Sequence, residues 1–219
     1  MSAYAIGIDV GGTFTDVAVR TPDGATVIAK SPTTPDQSDG VMDALGLVAG
    51  QLGLSLGDLL GRTGRLVHGT TVATNALLQA RGARVGMLVT EGHRDVIEMR
   101  EGLKPERYNL RMPPPPQAVP RHLRLPVRER MRPDGTASTP LDDASLAAAL
   151  DTLAAAEVEA VAICFLHAWR NPAHEKQAEA ATRARLPGAF VTTSSAVLPE
   201  IKEFERFSTA IANAAVGPV

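Results

Sequence analysis

The feature that most restricts how this chain can fold is a pair of glycines near its start, flanked by two apolar segments. Residues 7–17 read GIDVGGTFTDV, so Gly11 and Gly12 separate two runs in which apolar residues alternate with others. This pattern predicts a β-hairpin. Glycines permit positive φ and carry no Cβ that would keep an anion from the N–H groups of the turn. Thr13 and Thr15 add hydroxyl donors, so we expect a phosphate-binding loop; an ordinary Gly-Gly turn is the alternative.

Two aspartates flank the glycines and decide whether the hairpin can also serve a cation. A two-residue loop places Asp9 opposite Phe14. It also places Asp16 opposite Gly7, so both carboxylates lie on one face, roughly 7 Å apart. At that separation they can share a hydrated cation and its phosphates. A three-residue loop would move Asp16 to the other face, so the prediction of a catalytic pair depends on the register.

Hydrophobic periodicity and turn signals predict an α/β fold with a mixed sheet and no internal repeat. We predict strands at residues 4–9, 14–20, 25–31, 65–68, 85–89, 123–130, 158–165 and 189–193. We predict helices at residues 37–52, 72–81, 94–99, 172–186 and 200–215, and one from a cap at residue 142 or 143 to about residue 156. The chain therefore begins with the order βββαβα, and a further βα pair follows.

Residues 100–139 interrupt this alternation of strands and helices. Four consecutive prolines at positions 113–116 favour an extended polyproline conformation and exclude a helix. The sequence Pro133-Asp134-Gly135 then predicts the turn of a hairpin. We expect an inserted β-rich segment, at about residues 100–140, that packs on the core rather than a flexible linker.

Thr70 and Thr71 lie where a predicted strand ends and a helix begins. Ligands bind at the carboxyl ends of strands in open α/β sheets, and a helix start offers free N–H groups to an anion. We therefore expect Thr70 and Thr71 to face a ligand, although either can also cap the helix. Asn75, about one turn further on, faces either the same cleft or a neighbouring helix.

The remaining polar candidates carry weaker signals. His93 and Arg94 follow the strand at 85–89. A surface pair of Arg94 with the next aspartate is the simpler expectation, and contact of His93 or Arg94 with the substrate or with the second half of an enzyme is the alternative. His167 and His174 are seven residues apart across a helix start, so one helical face cannot present both. The sequence after His174 lacks the second histidine of an HExxH zinc site. We expect no metal there and a backbone partner for His167.

Composition and charge mainly exclude other classes of protein. With 219 residues, 44% of them hydrophobic, the chain can bury a core. The net charge of −2 gives no electrostatic reason to expect nucleic acid or a membrane surface as partner. Cys164, the one cysteine, lies in an apolar run, which predicts a buried thiol. A basic start and a stretch of about 20 apolar residues are both absent, so we expect a cytoplasmic enzyme.

Together these motifs resemble the hydantoinase/5-oxoprolinase family. The hairpin alone resembles the first phosphate loop of the wider actin-like ATPase superfamily, which includes sugar kinases, chaperone ATPases and acetate kinases. The segments similar to the narrower family are GIDVGGTFTDVAV (7–19), LVHGTTVATNALL (66–78), GMLVTEGHRD (86–95), AICFLH (162–167), NPAHE (171–175) and LPEIKEFER (198–206). They run nearly from end to end of the chain. The resemblance implies a ribonuclease-H-like half as the fold, which the order of elements also fits.

The resemblance further implies ATP and Mg²⁺ as cofactors and a lactam, a hydantoin or 5-oxoproline as substrate. In this chemistry ATP phosphorylates the ring-amide oxygen, and water then opens the ring. The residues predicted to bind the nucleotide are Gly11, Gly12, Thr13, Thr15, Thr70 and Thr71. Asp9 is expected to hold magnesium through water or to orient the attacking group, with Asp16 as the second carboxylate.

Other functions remain open at this stage. A carboxylase subunit of the acetone/acetophenone type would share the ATP lobe and activate a ketone or bicarbonate. A non-catalytic fragment would bind nucleotide weakly or only dock on another chain. A sugar kinase fits less well, because the later motifs do not resemble one. The chain has no P-loop motif, so a P-loop ATPase is excluded.

The resemblance also bears on completeness, because enzymes of this family are longer and close two lobes over the nucleotide. The motif DxGGTxTD occurs once here. We expect residues 1–195 to form the N-terminal domain of the family and residues 196–219 to begin a truncated hydantoinase A domain. We also expect an oligomer when complete, with a second subunit of the hydantoinase B type as a candidate partner.

Overall fold

The computed structural model describes residues 3–34, 36–79, 81–102, 106–113 and 116–218. The chain divides into two units, Met1–Gln79 and Ala80–Val219, each with its own sheet. Of the four prolines predicted to be extended, Pro114 and Pro115 lie outside the described residues. None of the described helices combines the length and the apolar character needed to span a membrane.

The first unit is built on a four-stranded mixed sheet. Its elements are β1 (Tyr4–Val10), β2 (Phe14–Arg20), β3 (Thr26–Pro32), α1 (Gln37–Gln51), α2 (Leu56–Gly61), β4 (Thr63–Thr70) and α3 (Val72–Leu78). The strand order is β3-β2-β1-β4, with β1 antiparallel to β2, β2 antiparallel to β3, and β1 parallel to β4. The helices α1 and α2 provide the crossover from β3 to the parallel strand β4.

One face of this sheet is buried against α1. Strand residues alternate between the two faces, and the buried set is apolar. The residues in this core include Ile6, Ile8, Val10, Val17, Val19, Ala44, Leu45 and Val48. The carboxylate of Asp36 caps α1 by accepting a hydrogen bond from Ser38 N at 3.0 Å. The opposite face of the sheet, which we call the open face, carries Gly7, Asp9, Phe14 and Asp16.

The second unit contains a four-stranded parallel sheet of order β10-β9-β5-β6. Its elements are β5 (Val85–Thr90), α4 (Val96–Met99), β6 (Arg124–Val127), β7 (Arg130–Met131), β8 (Ala137–Thr139), α5 (Asp143–Ala155), β9 (Ala160–Cys164), α6 (Ala173–Arg185), β10 (Phe190–Thr193), α7 (Ser194–Val197) and α8 (Glu203–Val216). All residues of β5 and β9 are buried, as is usual for central parallel strands. Cys164 is buried as predicted, and this burial raises the pKa of its thiol.

The structure corrects several predicted elements. The strand Val85–Thr90 belongs to the second sheet. It is apolar on both faces, so periodicity alone could not assign it to either sheet. The predicted strand at 123–130 is broken into β6 and β7, and β7 pairs with β8 in the insertion. Helix α2 was not predicted, although Ser55 caps it by accepting a hydrogen bond from Asp58 N. Helix α3 ends at Leu78, and residue 80 of the predicted helix lies outside the described residues.

Candidate functional site

The loop of the first hairpin is longer than the sequence suggests. Val10 pairs with Thr15 and Asp9 with Asp16, so residues 11–14 connect the paired strands. The predicted two-residue loop is therefore wrong. The register differs from the prediction by two positions, and side chains alternate with a period of two. Asp9 and Asp16 consequently still lie on the same face.

Close contacts, rather than positive φ, explain the two glycines of this loop. Neither Gly11 nor Gly12 has a positive φ, so that part of the prediction is wrong. A Cβ on Gly11 would lie 3.1 Å from Phe14 O. A Cβ on Gly12 would lie 3.0 Å from Nδ2 of Asn75. The absence of a Cβ matters at both positions because other groups approach the backbone there.

Thr33, just after β3, is hydrogen-bonded to the backbone of the loop. Thr33 N donates a hydrogen bond to Thr13 O, and Thr33 Oγ1 donates one to Gly11 O, both at 2.9 Å. Thr33 Oγ1 also lies 3.4 Å from Thr15 Oγ1. Thr15 is fully buried on the core face. Its hydroxyl therefore supports the loop from the inside and is not presented on the open face.

Two adjacent backbone amides of the loop are free donors. Gly12 and Thr13 are exposed, and no described residue accepts a hydrogen bond from the N–H of either. The carbonyls of Gly11 and Thr13 already accept hydrogen bonds from Thr33. Successive unpaired N–H groups in a turn form a concavity that favours an anion. The hairpin tip can therefore bind phosphate oxygens through its main chain.

The two aspartates stand directly opposite each other on the open face. Residues in this arrangement have Cβ atoms about 4.5–5.5 Å apart, which is closer than the predicted separation. Asp16 Oδ1 lies 3.2 Å from Nζ of Lys30 on β3. The exposed Asp9 carboxylate has no hydrogen-bond or ion-pair partner among the described residues. Asp16 therefore has a positive counter-charge, whereas Asp9 has none among the described residues.

This pair of carboxylates fits a metal site that water and phosphate complete, and not a site built from protein side chains alone. Across the described ranges, no group of three or more His, Cys, Asp or Glu side chains is placed to hold a metal ion by itself. Mg²⁺ in phosphate-transfer sites keeps several waters and takes one or two carboxylates plus phosphate oxygens. Asp9 and Asp16 next to free amides supply such a partial set of ligands. The residues present thus fit a hydrated cation that arrives with phosphate.

The second predicted loop docks on the first hairpin. Thr71 N donates a hydrogen bond to Val10 O at 3.1 Å, and Thr70 Oγ1 lies 3.4 Å from the same carbonyl. Thr70 Oγ1 accepts a hydrogen bond from Val72 N, while Thr71 makes no side-chain cap. Asn75 donates from Nδ2 to Thr71 Oγ1 at 3.2 Å. The amide of Asn75 thus lies against Gly12 of the hairpin and not against a neighbouring helix.

The other polar candidates lie in the second unit. His93 Nδ1 is 3.3 Å from Glu91 O. Asp95, the predicted partner of Arg94, instead forms a two-bond ion pair with Arg121, so that prediction is wrong. The Arg121 hydrogen bonds lower the pKa of Asp95. The sequence missed this pair because residues 95 and 121 are distant along the chain.

The two histidines of the second unit have different environments. His174 is buried, and its Nδ1 lies 2.7 Å from Glu129 Oε2. His167 Nδ1 is buried without a hydrogen-bond partner among the described residues and lies 3.9 Å from Glu203 Oε1. The backbone partner predicted for His167 is therefore wrong. Burial lowers the pKa of this imidazole.

Sequence reasoning missed two residues of the hairpin site. Lys30 and Thr33 come from β3 and the segment after it, and they reach the loop only because β3 pairs with β2. The one available signal was the alternation of β3, which places Lys30 on the same face as Asp16 once the register is known.

The first sheet is mixed, and its first hairpin presents free amides and carboxylates on the open face. The fold is of the actin-like ATPase type. The model of the hydantoinase/oxoprolinase N-terminal region matches residues 5–186. This chain therefore belongs to the hydantoinase/oxoprolinase family, as the motifs indicate.

Sequence relatives support the same assignment. The caprolactamase subunit alpha of Pseudomonas jessenii is 42% identical over 219 residues, which cover 99% of this chain and 32% of that protein. The acetophenone carboxylase gamma subunit of Aromatoleum aromaticum is 38% identical over 224 residues, covering 96% of this chain and 30% of that protein. The chain thus spans about a third of the length of these relatives.

Solved structures confirm the fold. The crystal structure of the ATP-dependent caprolactamase from Pseudomonas jessenii matches with a TM-score of 0.85 and 41% identity, over 98% of this chain and 31% of that one. The nucleotide-free structure of acetone carboxylase matches with a TM-score of 0.90 and 27% identity, over 100% of this chain and 33% of that one.

Proposed function

We propose that this chain is the N-terminal, ATP-binding lobe of an enzyme that couples ATP to the hydrolysis of a cyclic amide. The observation that carries this proposal is the pair of free N–H groups on Gly12 and Thr13, beside the unpartnered carboxylate of Asp9. The ATP-dependent caprolactamase of Pseudomonas jessenii, by its name a lactam hydrolase, supports the same chemistry.

The reaction has a clear need for ATP, because an unstrained cyclic amide resists attack by water. Transfer of the terminal phosphoryl group of ATP to the amide oxygen releases ADP and turns that oxygen into a leaving group. Water then adds at the amide carbon, the carbon–nitrogen bond of the ring breaks, and the departing nitrogen takes up a proton. A second water hydrolyses the resulting acyl phosphate to the carboxylate and phosphate. Positioning and charge stabilisation are the contributions expected of the protein.

Each residue of the hairpin has a distinct part in this proposal. The amides of Gly12 and Thr13 donate hydrogen bonds to phosphate oxygens, and the Thr13 hydroxyl is a third donor. Asp9 holds the hydrated cation or orients the attacking group, and Asp16 is the second carboxylate. Magnesium, when bound, neutralises phosphate charge. Gly11 closes the loop and Thr15 supports it from the core side.

The second loop borders the same nucleotide in this proposal. Thr70 and Thr71 are attached to the hairpin through Val10 O, so the two loops keep a fixed spacing. Asn75 packs against the Gly12 backbone and limits how far the loop can move. Thr70 and Thr71 therefore lie at the rim of the phosphate site.

A carboxylase subunit is the second candidate function. The similarity to an acetophenone carboxylase subunit and to the acetone carboxylase structure favours it specifically. In that case the same lobe would bind ATP, and the activated group would be a ketone or bicarbonate. Both candidates need the hairpin, and they differ in the substrate that stimulates ATP turnover.

The names of the relatives also bear on partners, since both describe subunits of larger assemblies. We include in the proposal a second subunit of the hydantoinase B type, an oligomeric assembly and a cytoplasmic location. Residues 1–195 would form the N-terminal domain and residues 196–219 the beginning of a hydantoinase A domain. Coding sequence for a second lobe after residue 219 would support this arrangement.

Titration calorimetry of this chain with Mg-ATP tests the nucleotide site directly. We expect saturable heat for the wild type and its loss in Asp9→Ala, with an unchanged melting temperature. Asp43→Ala is the matched control, because Asp43 is exposed on α1, away from the open face. Absence of heat and of any thermal shift in the wild type would favour a docking fragment instead.

Turnover of ATP in the enzyme containing a second lobe separates the two enzymatic candidates. We expect ADP formation to rise with 5-oxoproline, a hydantoin or caprolactam, and to fall about a hundredfold or more in Asp9→Ala. Stimulation only by a ketone together with bicarbonate would assign the carboxylase function. Wild-type turnover in Asp9→Ala would refute the role of this aspartate.

A further inference from the structure

Three charged residues form a row across the open face of the first sheet. Asp9 on β1 is paired in register with Asp16 on β2, and Asp16 is paired with Lys30 on β3. Directly opposed residues of adjacent strands project to the same side. The order of charges across the sheet is therefore acid, acid, base, and the free amides lie in the loop that joins the two acidic strands.

Lys30 is held in this row by two contacts. Its Nζ lies 3.2 Å from Asp16 Oδ1 and 5.0 Å from the centre of the Phe14 ring. Phe14 directly follows Gly12 and Thr13, whose amides are free, and is the first residue of β2. The ammonium group thus lies over the base of the loop, where a cation can interact with both the ring and the carboxylate.

The exposure of this ion pair indicates that stabilising the fold is not its main role. The side chains of Lys30 and Asp16 are 54% and 44% exposed, and ion pairs this exposed contribute little to stability. Without Lys30, however, two carboxylates would face each other with no counter-charge. Such a pair attracts divalent cations by itself and repels a triphosphate.

We propose that Lys30 is a positioning residue that gives the two aspartates unequal roles. It neutralises Asp16, so that Asp9 is the acid that remains for a cation arriving together with a triphosphate. It also reduces the negative potential in front of the amides of Gly12 and Thr13. This inference rests on the proposed nucleotide site. It adds that Lys30 makes the site prefer the complex of cation and triphosphate to the cation alone.

A double-mutant cycle measured by calorimetry tests the proposal, with Mg-ATP and Mn²⁺ alone as the two titrants. We expect Lys30→Met to weaken Mg-ATP binding about tenfold, or about 1.4 kcal/mol. The same variant should bind Mn²⁺ without nucleotide more tightly than the wild type does. In the Asp16→Asn background, adding Lys30→Met should change both affinities by less than about twofold. Lys30→Arg, which keeps the positive charge, should restore Mg-ATP affinity and weak Mn²⁺ binding.

Arg185→Met is the matched control. Arg185 Nη2 lies 2.9 Å from Asp151 Oδ1 in the second unit, and the Arg185 side chain is 54% exposed, as is that of Lys30. Any change in binding that comes merely from losing an exposed ion pair should therefore appear in Arg185→Met as well as in Lys30→Met. We expect Arg185→Met to leave both titrations unchanged. Equal effects of the two variants would overturn the proposal.

The two proposals fail in different ways. If the wild type gives no heat with Mg-ATP, the proposed nucleotide site is refuted, and the Mn²⁺ titrations still test the charge assignment. If the wild type binds Mg-ATP but Lys30→Met binds both titrants like the wild type, the role of Lys30 is refuted while the nucleotide site stands. If Lys30→Met lowers Mg-ATP affinity equally in the wild type and in the Asp16→Asn background, the role of Lys30 is also refuted, because Lys30 and Asp16 would then act independently.

Discussion

The carboxylates of Glu175 in the second unit and Asp9 in the first unit stand in opposite environments. Glu175 is fully buried and accepts hydrogen bonds from Phe165 N and Ser195 N at 2.9 Å, and from Ser194 Oγ and Ser195 Oγ at 2.6 Å. Asp9 is exposed and has no partner in the part of the chain that the structure describes.

Arg206 completes the buried network around Glu175. Its Nε donates to Ser194 Oγ, and its Nη atoms donate to the carbonyls of Glu200 and Phe165, each at 3.0 Å. Burial raises the pKa of the Glu175 carboxyl, although the hydrogen bonds from Ser194, Ser195 and Phe165 oppose the rise. The polar groups of this network satisfy one another.

The comparison shows how the same residue types serve different purposes. The buried polar groups around Glu175 are matched with partners inside the fold, because an unpaired group there costs its full desolvation energy. Donors and acids on the hairpin are exposed, so they can remain unpaired until a ligand arrives. The presence of charged residues in a motif therefore does not indicate a site unless some of their bonding capacity is left free.

The largest expected effect comes from breaking the buried network. Glu175→Gln puts an amide donor where Glu175 accepts hydrogen bonds, and it removes the buried charge to which Ser194 and Ser195 donate. We expect a loss of about 3 kcal/mol in the free energy of unfolding, measured by chemical denaturation. Nucleotide affinity of the folded protein should be unchanged. Stability within about 0.5 kcal/mol of wild type would show that the network is not a structural element.

A smaller effect is expected when the open site is narrowed. Gly12→Ala places a Cβ 3.0 Å from Asn75 Nδ2 and beside the free amides, so it obstructs an approaching phosphate. We expect Mg-ATP affinity to fall about tenfold, with stability changed by less than about 1 kcal/mol.

Gly46→Ala serves as the control for that substitution. Gly46 lies in α1, where an added Cβ meets nothing within 4 Å. We expect a gain of about 0.5–1 kcal/mol in stability and no change in affinity, because alanine favours the helix. Retained Mg-ATP affinity in Gly12→Ala would contradict the idea that phosphate approaches this backbone.

The smallest effect concerns His167, a partly exposed residue whose buried Nδ1 has no hydrogen-bond partner among the described residues and lies 3.9 Å from Glu203 Oε1. Burial lowers its pKa from the usual 6.5, so the folded protein takes up this proton less readily than the unfolded chain. The stability from this group is fully present above pH 6.5 and is lost as the pH falls through the folded-state pKa. Between pH 7.5 and pH 5.5, we expect the melting temperature of His167→Asn to fall by about 2 °C less than that of the wild type.

Asparagine is the suitable replacement because His167 has φ of 55°, a conformation that asparagine tolerates. The groups that act on the His167 charge, besides burial, are Glu203, which favours it, and Arg130, Arg206 and His93, which oppose it. An identical pH dependence in wild type and His167→Asn would mean that His167 does not contribute to acid sensitivity.

The elements with strong local signals were predicted well. The helix Asp143–Ala155 follows an aspartate cap, and the strand Ala160–Cys164 is a continuous apolar run. The short helices Leu56–Gly61 and Ser194–Val197 were missed, because one or two turns give too few residues to establish a period. The placement of Val85–Thr90 depended on which neighbour strands covered it, and no local pattern contains that information.

The sequence alone determined the hairpin and the glycine pair, and it predicted Asp9 and Asp16 on one face for a two-residue loop. Alternation along a strand is local, so a register error of two positions left that conclusion intact. Only the tertiary structure decided the four-residue loop, the pairing of Lys30 with Asp16 and the hold of Thr33 on Gly11, which lies 22 residues away. Contacts between distant residues depend on which strands become neighbours, and that choice is made by packing of the whole sheet.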